Sequence, residues 1–312
     1  MTEQKQSSRF PPQLVLLIGI LAVSTASILI RFSQAEAPSL VIAAYRLIIA
    51  SLILTPYIFL KQRKALFALP RKSFLLLVLS GFFLALHFAV WISSLEFTTV
   101  ASSVVLVTTT PIWVALISPL ILKEKLNKTI LFGLGLAMLG SIIAGLAENC
   151  DVADFQLMCS FKNDFFRGNR MLGNLLALAG ANFAAAYLII GKKVRAKINT
   201  IVYIYVVYSF AAIFLLIAVL LSNQPIFGYS TNFYGIVCLL ALIPQIIGHS
   251  TYNWALGYLP ATFVSIALLG EPIGTILLST LFLNETPAAL EWIGGVLLLS
   301  GIFIASQTKS TG

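Results

Sequence analysis

The chain has 312 residues, of which 59% are hydrophobic and 10% charged, and its formal net charge is +9. Soluble domains carry about 25% charged residues, so this sequence cannot cover a water-facing surface of its size. The composition excludes an ordinary soluble enzyme, a disordered chain and a collagen-like protein, and it predicts a protein that crosses a membrane several times.

Ten apolar stretches follow one another along the chain, and each approaches the roughly 20 residues that a membrane-spanning helix needs. They lie at 13–33, 38–60, 72–94, 99–122, 129–147, 172–190, 199–221, 234–256, 261–283 and 289–306. The stretches lack the period-two alternation of barrel strands. The sequence therefore predicts an all-α membrane protein with ten transmembrane helices, and segment 148–171 is its one long connection.

The positive charges indicate how the helices are oriented, because cytoplasmic loops of membrane proteins are rich in Lys and Arg. With the N-terminus in the cytoplasm, 15 of these residues lie inside, 4 lie outside and Arg46 lies within a span. We expect both termini in the cytoplasm, the bacterial inner (plasma) membrane as location, the lipid bilayer as a partner and no nucleic-acid partner. Segment 148–171 is then extracytoplasmic, where Cys150 and Cys159 could form a disulfide, although the sequence does not decide this.

An internal repeat appears when the chain is aligned with itself so that position 111 falls on position 272. Without any gap, identical residues then recur throughout positions 111–144, including the pairs Pro111/Pro272 and Glu124/Glu285. The chain thus divides into two five-helix units, 13–147 and 172–306. Because five is odd, the second unit must enter the membrane from the opposite side. Inverted repeats of this kind are typical of secondary transporters, which bind their substrate between the halves near the midplane.

Several short motifs, in this order and in two copies, resemble the EamA-type proteins of the drug/metabolite transporter (DMT) superfamily. They are Ala44-Tyr45-Arg46-Leu47, Leu269-Gly270-Glu271-Pro272, Leu283-Asn284-Glu285, and the weaker Thr110-Pro111 and Lys123-Glu124. The resemblance implies export or exchange of small metabolites such as amino acids, without ATP. The two copies differ where the first has Thr110 and the second has Glu271.

Glu271 and Pro272 are the strongest candidates for a functional site. A carboxyl near the bilayer midplane costs free energy to insert, so it usually faces protein or water. Pro272 has no N–H, so it frees the carbonyl of Leu268 and kinks the helix. Glu271 is a candidate to bind substrate, and Pro272 to kink or gate. The alternative is that Glu271 only holds the kink through hydrogen bonds between helices.

Pro111 predicts the equivalent kink in the first half, with three threonines directly before it. Thr109 and Thr110 are candidates to bind substrate at this kink. The alternative is that their hydroxyls only satisfy the backbone carbonyls that the proline frees. If the two kinked helices meet, both sets of residues line one cavity.

Two histidines, each followed by a tryptophan, occupy roughly corresponding places in the two halves. His87, Trp91, His249, Asn253 and Trp254 would together give an aromatic and polar cavity that suits an amphipathic metabolite. The alternative is a pair of buried, hydrogen-bonded histidines with tryptophans at the membrane interface. Two histidines alone are too few for a zinc site, and we expect neither a metal nor a cofactor.

Three further charged residues are candidates for structural or gating roles. Arg46 lies inside the second span, where it could snorkel, bond a carbonyl, pair with Glu36 or Glu271, or hold a substrate carboxylate. Glu124 and Glu285 end the fourth and ninth spans, and their symmetry indicates helix-end or gate contacts.

The sequence contains no Walker A, His-Glu-x-x-His or Gly-x-Ser-x-Gly motif, so we predict no catalytic residue and no enzyme activity. A secondary transporter of a small-molecule substrate is the leading interpretation. The alternatives are a channel-like permease or a membrane scaffold that transports nothing. The pairs Gly140/Ala144 and Gly301/Ala305 predict close helix packing, with a homodimer seam as the alternative.

Overall fold

The computed structural model describes residues 11–146, 150–153, 156–159, 168–283 and 288–307. All elements of the first half that lie in the described residues are helical. Its elements are α1 (Pro12–Ser24), α2 (Ala26–Gln34), α3 (Ser39–Tyr57), a π-helical segment (Ile58–Gln62), α4 (Arg63–Phe67), α5 (Arg71–Phe97), α6 (Val100–Val107), α7 (Thr110–Ile121) and α8 (Lys128–Leu146).

A short hairpin and a second run of helices follow. They are β1 (Cys150–Ala153), β2 (Gln156–Cys159), α9 (Gly168–Arg195), α10 (Thr200–Leu221), α11 (Thr231–Leu240), a π-helical segment (Ala241–His249), α12 (Ser250–Ala255), α13 (Ala261–Ala267), a 3₁₀ turn (Leu268–Gly270), α14 (Glu271–Leu283) and α15 (Ala289–Ser306). The strands are antiparallel and their register places Cys150 opposite Cys159. Cys159 is disulfide-bonded, whereas Cys238 carries a free thiol.

Prolines mark where several helices begin. A proline with φ between −58° and −61° directly precedes α1, α3, α5 and α13, namely Pro11, Pro38, Pro70 and Pro260. The ring of proline restricts φ to this range and leaves no N–H to satisfy, so proline fits the start of a helix and not its interior. Each of these four prolines therefore marks the residue directly before a helix.

Within the described ranges, eight helices are long and apolar enough to cross a membrane. They are Pro12–Gln34, Ser39–Phe67, Arg71–Phe97, Ser102–Ile121, Asn169–Arg195, Thr200–Leu221, Thr231–Ala255 and Ala261–Leu278. Two shorter apolar helices, Lys128–Ala144 and Trp292–Ser306, occupy the other two predicted spans. The helical membrane architecture is thus observed, and the count of ten transmembrane helices stays a prediction.

Helix boundaries recur at the spacing of the sequence repeat. Helix α3 begins at Ser39 and α10 at Thr200, while α7 begins at Thr110 and α14 at Glu271. The most extensive packing joins the two halves: α3 lies on α10, α8 on α15, α5 on α9, and α1 on the second π-helical segment and α12. The long helices of each half therefore pack mainly against helices of the other half.

Glycines bring α8 and α15 into backbone contact. A Cβ atom on Gly140 would lie 2.5 Å from the carbonyl oxygen of Gly294, and one on Gly301 would lie 2.6 Å from that of Gly133. Only glycine permits this approach, because any side chain would collide with backbone that cannot move aside. The small residues on α8 and α15 therefore pack these two helices against each other within one chain.

Candidate functional site

A cavity of about 60 Å³ lies where the two halves meet at their kinked helices. Its lining is Val23, His87, Trp91, Val107, Thr108, Thr110, Pro111, Ala184, Tyr187, Leu188, His249, Tyr252, Leu268 and Glu271. Most of this wall is apolar or aromatic, with a few polar groups. That composition is typical of binding sites for small organic molecules.

The first kink separates α6 from α7, and threonine hydroxyls donate hydrogen bonds to the backbone carbonyls at this kink. Thr108, Thr109 and Thr110 donate to the carbonyls of Val105, Leu106 and Val107 at 3.0, 2.7 and 2.8 Å. The Thr110 hydroxyl also lies 3.3 Å from the carbonyl of Ala181 on α9. The carbonyl of Val107, which Pro111 leaves without its helical donor, is therefore satisfied locally.

The second kink is the 3₁₀ turn before Glu271, and α1 packs against it. The Ser24 hydroxyl lies 2.9 Å from the backbone carbonyl oxygen of Glu271 and 2.8 Å from that of Ile20, and it shares its proton between them. The Thr275 hydroxyl lies 3.1 Å from the Glu271 carbonyl oxygen and 3.0 Å from that of Ser24. A Cβ atom on Gly274 would collide with the Ser24 side chain, so this glycine lets α1 approach. Two hydroxyls thus hold the backbone of the kink without involving the Glu271 carboxyl.

The Glu271 side chain is 9% exposed and lines the cavity. Its Oε1 atom is buried and has no hydrogen-bond partner in the described part of the chain. A buried carboxyl oxygen without a partner costs free energy, so native structures rarely leave one unexplained. This unsatisfied oxygen distinguishes Glu271 from the threonines at the first kink.

Aromatic rings from both halves form one wall of the cavity. His87 stacks on Trp91 with ring centroids 5.7 Å apart and an angle of 11° between the rings. His87 Nδ1 lies 2.9 Å from the carbonyl of Gly180, which fixes the ring and indicates a proton on Nδ1. His249 is half-buried and contacts the Tyr252 ring edge-on at 5.7 Å.

Arg46 is fully buried beside the cavity and does not line it. Its Nε donates to Oε1 of Gln245 at 2.8 Å, and its Cζ lies 4.2 Å from the centroid of the Phe88 ring. Both terminal nitrogens are buried without a partner among the described residues. Of the alternatives that the sequence left open, snorkelling is wrong, because the guanidinium stays inside the protein.

Glu36 does not meet Arg46 and lies instead on an exposed loop. Its carboxylate accepts a hydrogen bond from Asn232 at 3.4 Å. A hydrogen bond from Ser230 lowers the pKa of Glu36 below its ordinary value, because it stabilises the ionised form.

The structure brings part of the predicted substrate-binding set together. His87, Trp91, Thr110, His249 and Glu271 line the cavity. Thr109, Asn253 and Trp254 do not. The Asn253 Oδ1 accepts a 2.6 Å hydrogen bond from Tyr187, and the ring of Trp254 packs on Tyr258 with centroids 4.6 Å apart.

Glu124 joins the two halves away from the cavity. Its carboxylate accepts hydrogen bonds from the backbone N–H of Ala261 at 2.9 Å and from the Thr262 hydroxyl at 3.1 Å. It thereby caps the N-terminus of α13, where a negative charge is favourable. Its predicted counterpart Glu285 lies outside the described residues.

Two residues near the centre were not singled out from the sequence. Tyr187 lines the cavity and Gln245 holds Arg46. The sequence does contain a signal for both residues: each is a polar side chain within an apolar span, and such a group needs a partner inside the protein. Which partner it finds depends on packing between helices, which the sequence does not give. Among the described residues, no group of three or more His, Cys, Asp or Glu could hold a metal.

The model of the EamA-like transporter family matches residues 11–146 and again 171–307. An uncharacterized transporter of Archaeoglobus fulgidus is 23% identical over 302 residues, covering 95% of this chain and 97% of that protein. The pseudopaline exporter CntI of Pseudomonas aeruginosa is 23% identical over 298 residues, covering 94% and 96%.

A solved crystal structure shares the fold, with a TM-score of 0.74 and 18% identity over 96% of this chain and 97% of that one. The two family matches confirm the resemblance seen in the sequence. Together with the long apolar helices, they identify an integral membrane protein whose relatives are transporters.

Proposed function

Because the chain belongs to the EamA-like transporter family, we propose that it is a secondary transporter that exports or exchanges a small metabolite, such as an amino acid. The cargo binds in the cavity between two inverted five-helix repeats, and the cavity opens alternately to either side of the membrane. The N- and C-termini lie in the cytoplasm. The observation that carries this proposal is the cavity itself, lined at matching kinks by residues of both halves.

The packing of the helices supports a two-fold relation between the repeats. In such an arrangement, if helix A touches the counterpart of helix B, then helix B touches the counterpart of helix A. Helix α5 packs on α9, and the counterparts of these two, the α11–α12 region and α1, also pack on each other. Helices α3 and α8 pack on their own counterparts, α10 and α15, as helices beside the axis would.

The kinks favour a moving transporter over a rigid scaffold. At each kink a proline interrupts the hydrogen bonds of the helix, so a kink is a place where the helix segments on either side can change their angle. A site between two bodies that can rock against each other is the arrangement that alternating access requires.

Two measurements test this proposal. The first compares the metabolites released by cells that produce the wild-type protein, the Glu271→Gln variant or no protein. The second measures flux of the best candidate into proteoliposomes. We expect saturable flux that rises when unlabelled cargo is present on the far side, and a loss of flux in Glu271→Gln at unchanged protein abundance.

Glu36→Gln is the matched control, since it makes the same chemical change on an exposed loop, and it should transport normally. Flux that does not saturate and does not respond to cargo on the far side would favour a channel-like permease. No flux of any metabolite would contradict the proposed transport function.

A further inference from the structure

We propose that the cavity binds the ammonium group of its cargo, with the Glu271 carboxylate as counter-ion and aromatic rings as the surrounding wall. This inference rests on the proposed transport function and names the chemistry of the group that is recognised. It starts from the one carboxyl on the cavity wall, since the lining found among the described residues contains no Asp, Lys or Arg.

Glu271 is the first element of the site. Its Oε1 is buried and unpartnered in the described structure, although two hydroxyls satisfy its backbone carbonyl. A carboxylate in such a place is stabilised by an opposite charge with N–H groups to donate. An ammonium group supplies both, so the oxygen that lacks a partner here is the atom that receives the cargo.

Arg46 does not take this role. Its Nε is committed to Gln245, and its Cζ lies over the ring of Phe88. Phe88 in turn contacts the cavity residues His87 and His249, with ring centroids 4.9 and 5.2 Å away. The guanidinium is therefore one ring removed from the cavity. Both terminal nitrogens of Arg46 lack a hydrogen-bond partner among the described residues, so the guanidinium makes no hydrogen bond to the Glu271 carboxyl.

The rings of Trp91, Tyr187 and Tyr252 are the second element. Aromatic faces attract cations, and the attraction is largest where water is excluded. The tyrosine hydroxyls are already used, because Tyr187 donates to Asn253 at 2.6 Å and Tyr252 donates to the carbonyl of Gly19 at 3.2 Å. These bonds fix both rings, so the wall of the site is preorganised.

The backbone around the first kink offers little to an anion. The N–H of Thr109 is bonded to the carbonyl of Leu106 at 3.2 Å, and the N–H of Ile112 to that of Thr109 at 2.9 Å. The start of α7 therefore does not present the open N–H groups that anion sites use. The indole N–H of Trp91 is unpartnered in the described chain and can donate to an acceptor next to the ammonium group.

The ammonium group could belong to a simple amine or to an amino acid. Four probes that share an isopropyl group and differ in their polar groups distinguish these two sources: isobutylamine, valine, isobutyramide and 3-methylbutanoate. Binding of each to the purified full-length protein in detergent is measured by calorimetry. We expect isobutylamine or valine to bind at least tenfold more tightly than the neutral amide and the carboxylate. The stronger of the two identifies the source of the ammonium group.

Variants test the residues that we assign. Glu271→Gln should weaken binding of the ammonium probe about tenfold to a hundredfold, as expected for losing a charged hydrogen-bond partner. Glu36→Gln should leave the affinity unchanged. If Glu271→Gln does not fold, Trp91→Leu replaces it and should weaken the ammonium probe severalfold while leaving the neutral amide unaffected.

The inference is overturned if 3-methylbutanoate binds as tightly as the ammonium probes, if neither ammonium probe binds, or if the folded variants keep wild-type affinity. Such a result would leave the transport function standing wherever the wild-type protein still carries a released metabolite into proteoliposomes. Absence of all flux would instead contradict the transport function itself.

Discussion

The glycine contact between α8 and α15 gives a prediction whose size follows from the structure. A Cβ atom at Gly140 would lie 2.5 Å from both the carbonyl oxygen of Gly294 and the N atom of Leu298, and backbone atoms cannot rotate away. Gly140→Ala must therefore push the two helices apart, which costs about 1–3 kcal/mol. Gly135 lies on the same helix and has nothing within 4 Å of its added Cβ.

Gly135→Ala is therefore a matched control. Replacing glycine by alanine in a helix stabilises it by about 1 kcal/mol, and this gain is common to both variants. The difference between them isolates the collision, so Gly140→Ala should be less stable than Gly135→Ala by about 1–3 kcal/mol. Gly301→Ala, on the facing helix, should behave like Gly140→Ala.

Thermal unfolding of the purified proteins in detergent, followed by the loss of the monodisperse peak in size-exclusion chromatography, measures this difference. A lower melting temperature for Gly140→Ala, with the oligomeric state unchanged, is the expected result. Equal melting temperatures for Gly140→Ala and Gly135→Ala would refute the reasoning, since they would mean that α8 and α15 do not touch at this glycine.

Three further predictions concern single contacts. Glu124→Ala removes the cap on α13 that includes the bond to Ala261, and we expect unfolding to become easier by about 0.5–2 kcal/mol in the same melting assay. Tyr187→Phe leaves the buried Oδ1 of Asn253 without its hydroxyl donor, so it should cost about 1–3 kcal/mol, and an unchanged melting temperature would contradict this bond. Because a hydrogen bond lowers the pKa of Glu36 below 4.5, its contribution to stability is present above pH 4.5 and is lost as the pH falls through the folded-state pKa. Glu36→Gln should therefore reduce the loss of stability in that acidic range, as melting curves at several pH values would reveal.

The sequence predicts well what depends on local signals. Apolar runs place the membrane-spanning segments, and Pro111 and Pro272 mark the two kinks. The internal repeat predicts which kinks correspond, because it compares the chain with itself. These features need no knowledge of which helices are neighbours.

The sequence predicts poorly what depends on contacts between distant helices. Arg46 donates a hydrogen bond to Gln245, which is 199 residues away in the sequence, and no local sequence pattern predicts this pairing. Asn253 belongs to the predicted binding set, yet its side chain is taken up by Tyr187 from another helix. Such details follow from which faces of the helices meet, and a span that is apolar almost all round gives little indication of its faces.

The central claim is that the two halves of the chain lie upside down relative to each other. Lys64 and Pro225 are exposed, and they occupy equivalent positions in the two repeats. Cysteines placed at these positions in a Cys238→Ser background can be tested with a membrane-impermeant thiol reagent in right-side-out and everted vesicles. The inverted arrangement predicts that Lys64→Cys reacts only from the cytoplasmic side and Pro225→Cys only from the opposite side. Labelling of both cysteines from the same side would contradict it.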